Sequence, residues 1–181
     1  MRLTGASTRT DYAGGVLPRI YKMHKRKSWR EKLTANKGLP RVETITPSQS
    51  RRWGTGTLVI PAPLEVDALM RRVPAGKVTT INEIRAALAR KHRASICCPI
   101  TAGIFAWLAA NAAEEDSQEG RKRTNPYWRT LKAGGQLNPK YPGGIAALKK
   151  RLVAEGHRII KRGQNYFIAD YEQVLVSPFH P

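Results

Sequence analysis

From residue 57 onward, apolar and polar positions fall into short blocks with distinct periods. TLVIPAPLEVDALMRRV begins apolar, is interrupted by Pro61 and Pro63, and then takes helical spacing. That spacing predicts a helix with Leu64, Ala68 and Leu69 on its apolar stripe. VPAGKVTT follows as a Pro/Gly turn. Thr80 stands as an N-cap for a helix over residues 81–90, with Glu83 at capping-box spacing and Ile84, Ala87 and Leu88 on the apolar face. The polar link KHRAS leads into ICCPITAGIFAWLAANAA, which carries no charge over 18 positions. Its length is at the lower edge of a membrane span. Pro99, Thr101, Gly103 and Asn111 interrupt it and alanine dominates, so a buried helix over about residues 99–115 of a soluble domain is expected. After a charged loop, residues 127–131 read as a strand, AGG as a tight turn, and Gln136-Leu137 as the return, together shaped like a wing. Residues 145–155 form a helix ended by Gly156. HRIIKRGQNYFIA closes the domain as a hairpin turning at Arg162-Gly163. Two helices, a short link and a glycine-turned strand pair have the grammar of a winged helix-turn-helix. The expected fold is therefore mainly α with a small β wing and a C-terminal hairpin, over residues 57–176.

Residues 1–56 are patterned differently. Apolar periodicity is weak, and Lys and Arg number 13 against three acids. YKMHKRKSWREK is densely basic with two aromatics, and the coherent basic pattern opens at Met23, so the residues before it read as an upstream start that adds little. This stretch is expected to be a partly disordered arm that either settles on a polyanion or only solubilises the chain.

Charge then narrows the choice of partner. The 181 residues carry 32 Lys+Arg against 13 Asp+Glu, a formal net charge of +19. An excess of that size favours a polyanion, and nucleic acid is the first candidate. Cys97 and Cys98 are adjacent, a geometry that disfavours a disulfide, and with four scattered histidines they make no zinc-ligand spacing. No metal or cofactor is expected. The two cysteines read as small buried hydrophobes, with a relocated reactive thiol as the alternative. The glycine pairs at 134–135 and 143–144 lack the strand and lysine context of a phosphate loop.

In order, VPAGKVTTINEI, the small-residue helix with Gly103, NPYWR, YPGG and LKKRLVAEG resemble the DNA-binding domain of the O6-alkylguanine-DNA alkyltransferases, and more closely their non-catalytic alkyltransferase-like relatives. The resemblance covers roughly residues 64–156. It implies a Pro-Cys-His-Arg motif in which a cysteine thiolate, activated by the histidine and a buried glutamate, takes the alkyl group from a flipped guanine. Here those positions read Pro126, Tyr127, Trp128 and Arg129, and Glu155 remains at the glutamate position with no histidine to orient. A phenol with a pKa near ~10 and no base beside it is not expected to accept an alkyl group. Tyr127 and Trp128 either wall a pocket for a flipped base or fill the old cavity. Tyr141, Gly143 and Gly144 match the loop beside that pocket, where glycine permits close backbone approach.

The resemblance also has departures. The family's base-displacing arginine falls at Ile100, and the tyrosine that helps rotate the target phosphate falls at Ile81. Thr79, Thr80 and Thr101 remain as candidate phosphate donors, Gly103 keeps its place on the recognition helix, and Asn138 and Lys140 lie in the loop near the backbone. Arg129 is expected to be structural, and Lys149, Lys150 and Arg151 to form a solvated helix face. The implied function is a non-enzymatic, monomeric binder of double-stranded DNA. It would recognise O6-alkylguanine or distorted duplex and flag it for another repair system, cytoplasmic and nucleoid-associated if prokaryotic, with no membrane partner. The alternatives are a general nucleic-acid-binding protein with a vestigial pocket, and a true alkyltransferase using Cys97 or Cys98.

Overall fold

The computed structural model describes residues 26–35 and 37–177. Six α-helices and seven short strands alternate along them: α1 Trp29–Thr34, β1 Arg41–Thr44, α2 Pro47–Trp53, β2 Thr57–Ile60, α3 Pro63–Arg71, β3 Thr79–Thr80, α4 Ile81–Lys91, β4 Ile96–Cys97, α5 Pro99–Gln118, β5 Thr130–Leu131, α6 Gly144–Ala154, β6 Ile159–Arg162 and β7 Asn165–Ile168. Helix predominates and the sheets are small. None of these helices is long and apolar enough to cross a membrane.

The helix signals act as the sequence predicts. Pro63 occupies the first turn of α3, where its missing N–H costs nothing. The Thr80 hydroxyl accepts from the Glu83 N–H and starts α4, whose Ile84, Ala87 and Leu88 are buried. Gly156 lies at φ +87 just past α6. The stripe on α3 is corrected, however. Leu64 and Ala68 are exposed, and the buried face is Val66, Asp67, Leu69 and Met70. The helix begins at Pro63 and turns a different side to α5, and Asp67 is tolerated inside because Arg71 and the Asn125 amide both donate to it.

Helix α5 is the central element. Its inward face is built from Ala102, Ala106, Ala109, Ala110, Ala112 and Ala113 with Leu108. Small side chains let α3 and α4 approach its backbone closely, and the larger Val66, Met70, Ile84 and Leu88 fill the space between.

Three sheets frame this core. β1 runs antiparallel to β2, and β2 parallel to β4. β3 pairs in parallel with β5, matching Thr79 to Thr130 and Thr80 to Leu131. β6 and β7 form the C-terminal hairpin, with Arg162 paired to Asn165, so Gly163 and Gln164 make the turn.

Two expectations are revised here. The boundary at residue 56 falls between the paired strands β1 and β2, and α1 packs on α5, so the described part of the basic segment, from residue 26, is folded onto the rest. Residues 1–25, including Met23, lie outside the described residues. The expected wing strand is also absent as such: Tyr127–Arg129 is a 3-10 turn, and only Thr130–Leu131 extends. β5 finds its partner in β3 instead of the return segment, while Gln136 bridges to Phe167. The loop between them is closed by Lys132 N–H donating to the Gln136 carbonyl at 2.8 Å.

Candidate nucleic-acid interface

The 3-10 turn at Tyr127–Arg129 is held by one carboxylate. Glu155, at the C-terminal end of α6, accepts from the Trp128 indole N–H at 2.8 Å and from Arg129 through Nε at 2.9 and 3.0 Å and Nη2 at 2.8 Å. The Gly76 N–H adds a longer bond at 3.4 Å. Arg129 also donates to the Val73 carbonyl. Glu155 therefore ties together the turn after α3, the 3-10 turn and the end of α6. Burial raises its carboxyl pKa, but the Arg129 and Trp128 bonds outweigh that and hold it below its ordinary value. Arg129 spends its guanidinium within the protein, on Glu155 and the Val73 carbonyl. With no histidine beside it, Glu155 accepts from the Trp128 indole N–H and from Arg129.

Tyr127 is 1% exposed. Its hydroxyl donates to Glu114 at 3.0 Å, with the Pro142 carbonyl at 3.4 Å, and its ring meets Trp128 and Tyr141 edge-on. Burial is the main cause that pushes the phenol up to about 12, and the Glu114 carboxylate adds to it against the opposing pull of Arg151. With its pKa raised, the phenol keeps its proton at neutral pH and donates it in the hydrogen bond to Glu114. The Arg151 guanidinium lies over the Trp128 ring at 4.5 Å and the Tyr127 ring at 5.3 Å, and pairs with Glu114. Arg151 thus covers the aromatic pair and is more than a solvated residue of α6.

The open cleft lies next to this cluster, on its outer side. It encloses about 920 Å³ between α5 and the loop before α6. Ile100, Gly103, Ile104 and Trp107 form the α5 wall. Lys132, Asn138, Lys140 and Tyr141 form the other. Five of the sequence-predicted residues (Ile100, Gly103, Asn138, Lys140 and Tyr141) are brought together here. Tyr141 is the link between cleft and cluster, since the residue borders the cleft and its buried ring abuts Tyr127.

The other predicted residues are placed elsewhere. Tyr127, Trp128, Gly143 and Gly144 do not line the cleft. Gly143 and Gly144 take positive φ at the start of α6, and a side chain on Gly143 would meet the Ala147 Cβ at 2.5 Å. Those glycines make the turn into the helix. Thr79 and Thr80 are buried. The Thr80 hydroxyl caps α4, and the Thr79 Oγ1 has no hydrogen-bond partner among the described residues. With 0% and 5% exposure, neither hydroxyl is open to a phosphate in this conformation. Thr101 turns back toward the Cys98 carbonyl. Cys97 and Cys98 are buried, and burial pushes the Cys97 thiol up to about 12, as fits small core side chains.

Sequence reasoning missed Ile104, Trp107 and Lys132. The signal was available: Ile100, Ile104 and Trp107 lie at i, i+4 and i+7, one face of a helix. The lack of charge in the segment made the whole helix read as buried. Instead these three are 51%, 50% and 36% exposed, while the alanines of α5 and Leu108 face inward. Exposed apolar side chains in a row mark a contact surface.

No family model and no curated protein matches the chain. Among solved structures, it is similar to S. pombe Atl1 in complex with damaged DNA containing O6-carboxymethylguanine. That alignment covers 66% of this chain and 94% of the other, with 19% identity and a TM-score of 0.44. It is also similar to S. pombe ATL in complex with DNA, with the same coverage, 20% identity and a TM-score of 0.46.

Proposed function

We propose that this protein binds double-stranded DNA through α5 and the loop of residues 132–141, recognises O6-alkylguanine or distorted duplex, and transfers no alkyl group. In this reading α4 and α5 act as the helix-turn-helix pair and the loop takes the place of a wing. The single observation that carries it is the state of Tyr127. At the position matching the family's reactive cysteine stands a buried phenol with a raised pKa, beside an indole where the activating histidine would be. Alkyl transfer needs an ionised nucleophile, and this pair supplies none at neutral pH. The excess positive charge and the lysines at the cleft rim support a phosphate-bearing partner. Recognition would proceed by flipping a nucleotide toward Tyr141, with Ile100 wedged into the base stack in place of the family's arginine. The bound lesion would then be passed to a second repair system.

A second reading has an observation of its own. Tyr127 fills the space behind Tyr141, which favours a general duplex-binding protein whose lesion pocket is closed. One experiment separates the two. Fluorescence anisotropy is measured on matched duplexes with and without one O6-methylguanine, at two salt concentrations. A preference for the modified duplex that persists at the higher salt supports lesion recognition. Equal affinities that fall together leave general binding. Mass spectrometry of the protein after incubation with the modified duplex checks the absence of transfer.

A further inference from the structure

Helix α1 is held on the last turns of α5 by a specific set of bonds. The backbone N–H groups of Trp29 and Arg30 donate to the Glu115 carboxylate at 3.3 and 2.9 Å, satisfying the open start of α1. The Arg30 guanidinium pairs with Asp116 and Glu119. Trp29 meets Trp107 edge to face at 4.9 Å, and Leu33 is buried in the core. The acidic end of α5 is thus consumed as a socket for a basic segment. A solubilising tail would need no such socket.

Docking α1 in this way has a consequence for the surface beside it. A second cleft of about 370 Å³ opens between α1 and α5, lined by Lys27, Trp29, Lys32, Lys37, Ile104 and Trp107. It shares Ile104 and Trp107 with the first cleft. The two clefts adjoin on the exposed face of α5 as a trough, with Lys132 and Lys140 lining the first part and Lys27, Lys32 and Lys37 the second. Lys32 sits over the Trp29 ring at 4.1 Å, which fixes its ammonium group. Glu31, the nearby acid on α1, is turned back to the Ser28 N–H.

We infer that α1 is a docked extension of the duplex-binding surface, in which Lys27, Lys32 and Lys37 hold backbone phosphates beyond those reached from Lys132 and Lys140. The inference rests on the duplex-binding reading above and adds to it a second, separately placed set of contacts. Charge complementarity selects the occupant: both parts of the trough carry lysines, and the Ile104 and Trp107 side chains they share offer apolar contact suited to sugars and base edges.

The test is the salt dependence of duplex binding by the full chain. Each phosphate contact contributes about 0.9 to the slope of log K against log salt. The Lys27→Gln/Lys32→Gln/Lys37→Gln variant is expected to lower that slope by about 2 to 3. Trp29→Ala/Leu33→Ala leaves every charge in place but removes both apolar anchors of α1, and is expected to weaken duplex binding at least several-fold. A Trp29→Ala/Leu33→Ala variant that binds as the wild type does would show the segment acting as an unstructured cationic tail, and would overturn the inference. So would an unchanged slope in the lysine variant. A slope change seen on single-stranded RNA but not on duplex DNA would overturn the choice of partner, and a dimer through the trough, lost in Ile104→Lys while duplex binding persists, would assign it to a second copy. Failure of the wild type to bind duplex at all is a different result, and would remove the proposed function itself.

Discussion

The indole N–H of Trp128 donates to Glu155 at 2.8 Å, and the same carboxylate holds Arg129. A single part-buried anion therefore positions two neighbouring side chains of the NPYWR segment. Trp128→Phe keeps the ring and removes the donor. The Arg129 contacts remain, so the expected loss is about 1 to 2 kcal/mol, read as a lower urea midpoint with an unchanged slope. Arg129→Met leaves Glu155 buried with a weakened set of donors, and is expected to cost more than Trp128→Phe in the same measurement.

Glu155 also sets a pH dependence. Its folded-state pKa lies below its ordinary value, so it contributes stability that is fully present above the unfolded carboxylate pKa, near ~4.3, and is lost as pH falls through the depressed folded value. Wild-type urea midpoints are expected to fall steeply from about pH 4.5 downward. Glu155→Gln is expected to be less stable at pH 7 and to lose part of that acid-side slope. Equal slopes in the two proteins would show that other carboxylates govern acid unfolding.

Tyr127 calls for two variants, because it is both core and candidate recognition element. Tyr127→Ala empties a filled site and is expected to cost about 3 to 5 kcal/mol, which would confound any binding result. Tyr127→Phe removes only the bond to Glu114, for about 1 kcal/mol, and Arg151 still pairs with that carboxylate. If the hydroxyl reads the lesion, Tyr127→Phe loses the preference for O6-methylguanine while keeping affinity for plain duplex.

The buried geometry around residue 127 yields a gain-of-function prediction. Tyr127→Cys/Trp128→His places a thiol beside an imidazole that Glu155 is positioned to hold. Incubation with methylated duplex is expected to add one methyl group to this variant and none to the wild type, read by intact-protein mass. A variant that folds and binds duplex yet gains no mass would show that the alkylated base does not reach residue 127.

Cys97 and Cys98 are predicted to be inert. Native protein is expected to react with a thiol-directed chromophore far more slowly than protein in denaturant, since burial raises the Cys97 thiol to about 12 and denies access. Cys97→Ala/Cys98→Ala is expected to leave duplex binding as it was. Rapid native labelling would reopen the possibility of a relocated acceptor.

The sequence by itself determined the features that are local. The Thr80 cap, the start of α5 at Pro99 after a polar link, the stop at Gly156 and the β6–β7 hairpin all depend on residues close in the chain. The order of the motifs was legible for the same reason, as was the excess of positive charge. Distant partners decided the rest. Thr79 and Thr80 read as exposed donors, but the fold buries both, and the Thr80 hydroxyl is taken up by the α4 cap. The partner of Glu155 could not be read, because the indole of Trp128 that donates to it lies 27 residues away in the chain. The face that α5 shows to solvent could not be read from polarity, because small and large apolar residues carry the same hydrophobic label. Only packing against α3 and α4 selects the alanines for the inside and leaves Ile100, Ile104 and Trp107 outside. The basic segment likewise looked unattached, because its anchors, Glu115, Asp116 and Glu119, lie some 85 to 89 residues further along the chain. Side-chain partners at that separation leave no periodicity to detect, and only the folded chain brings them together.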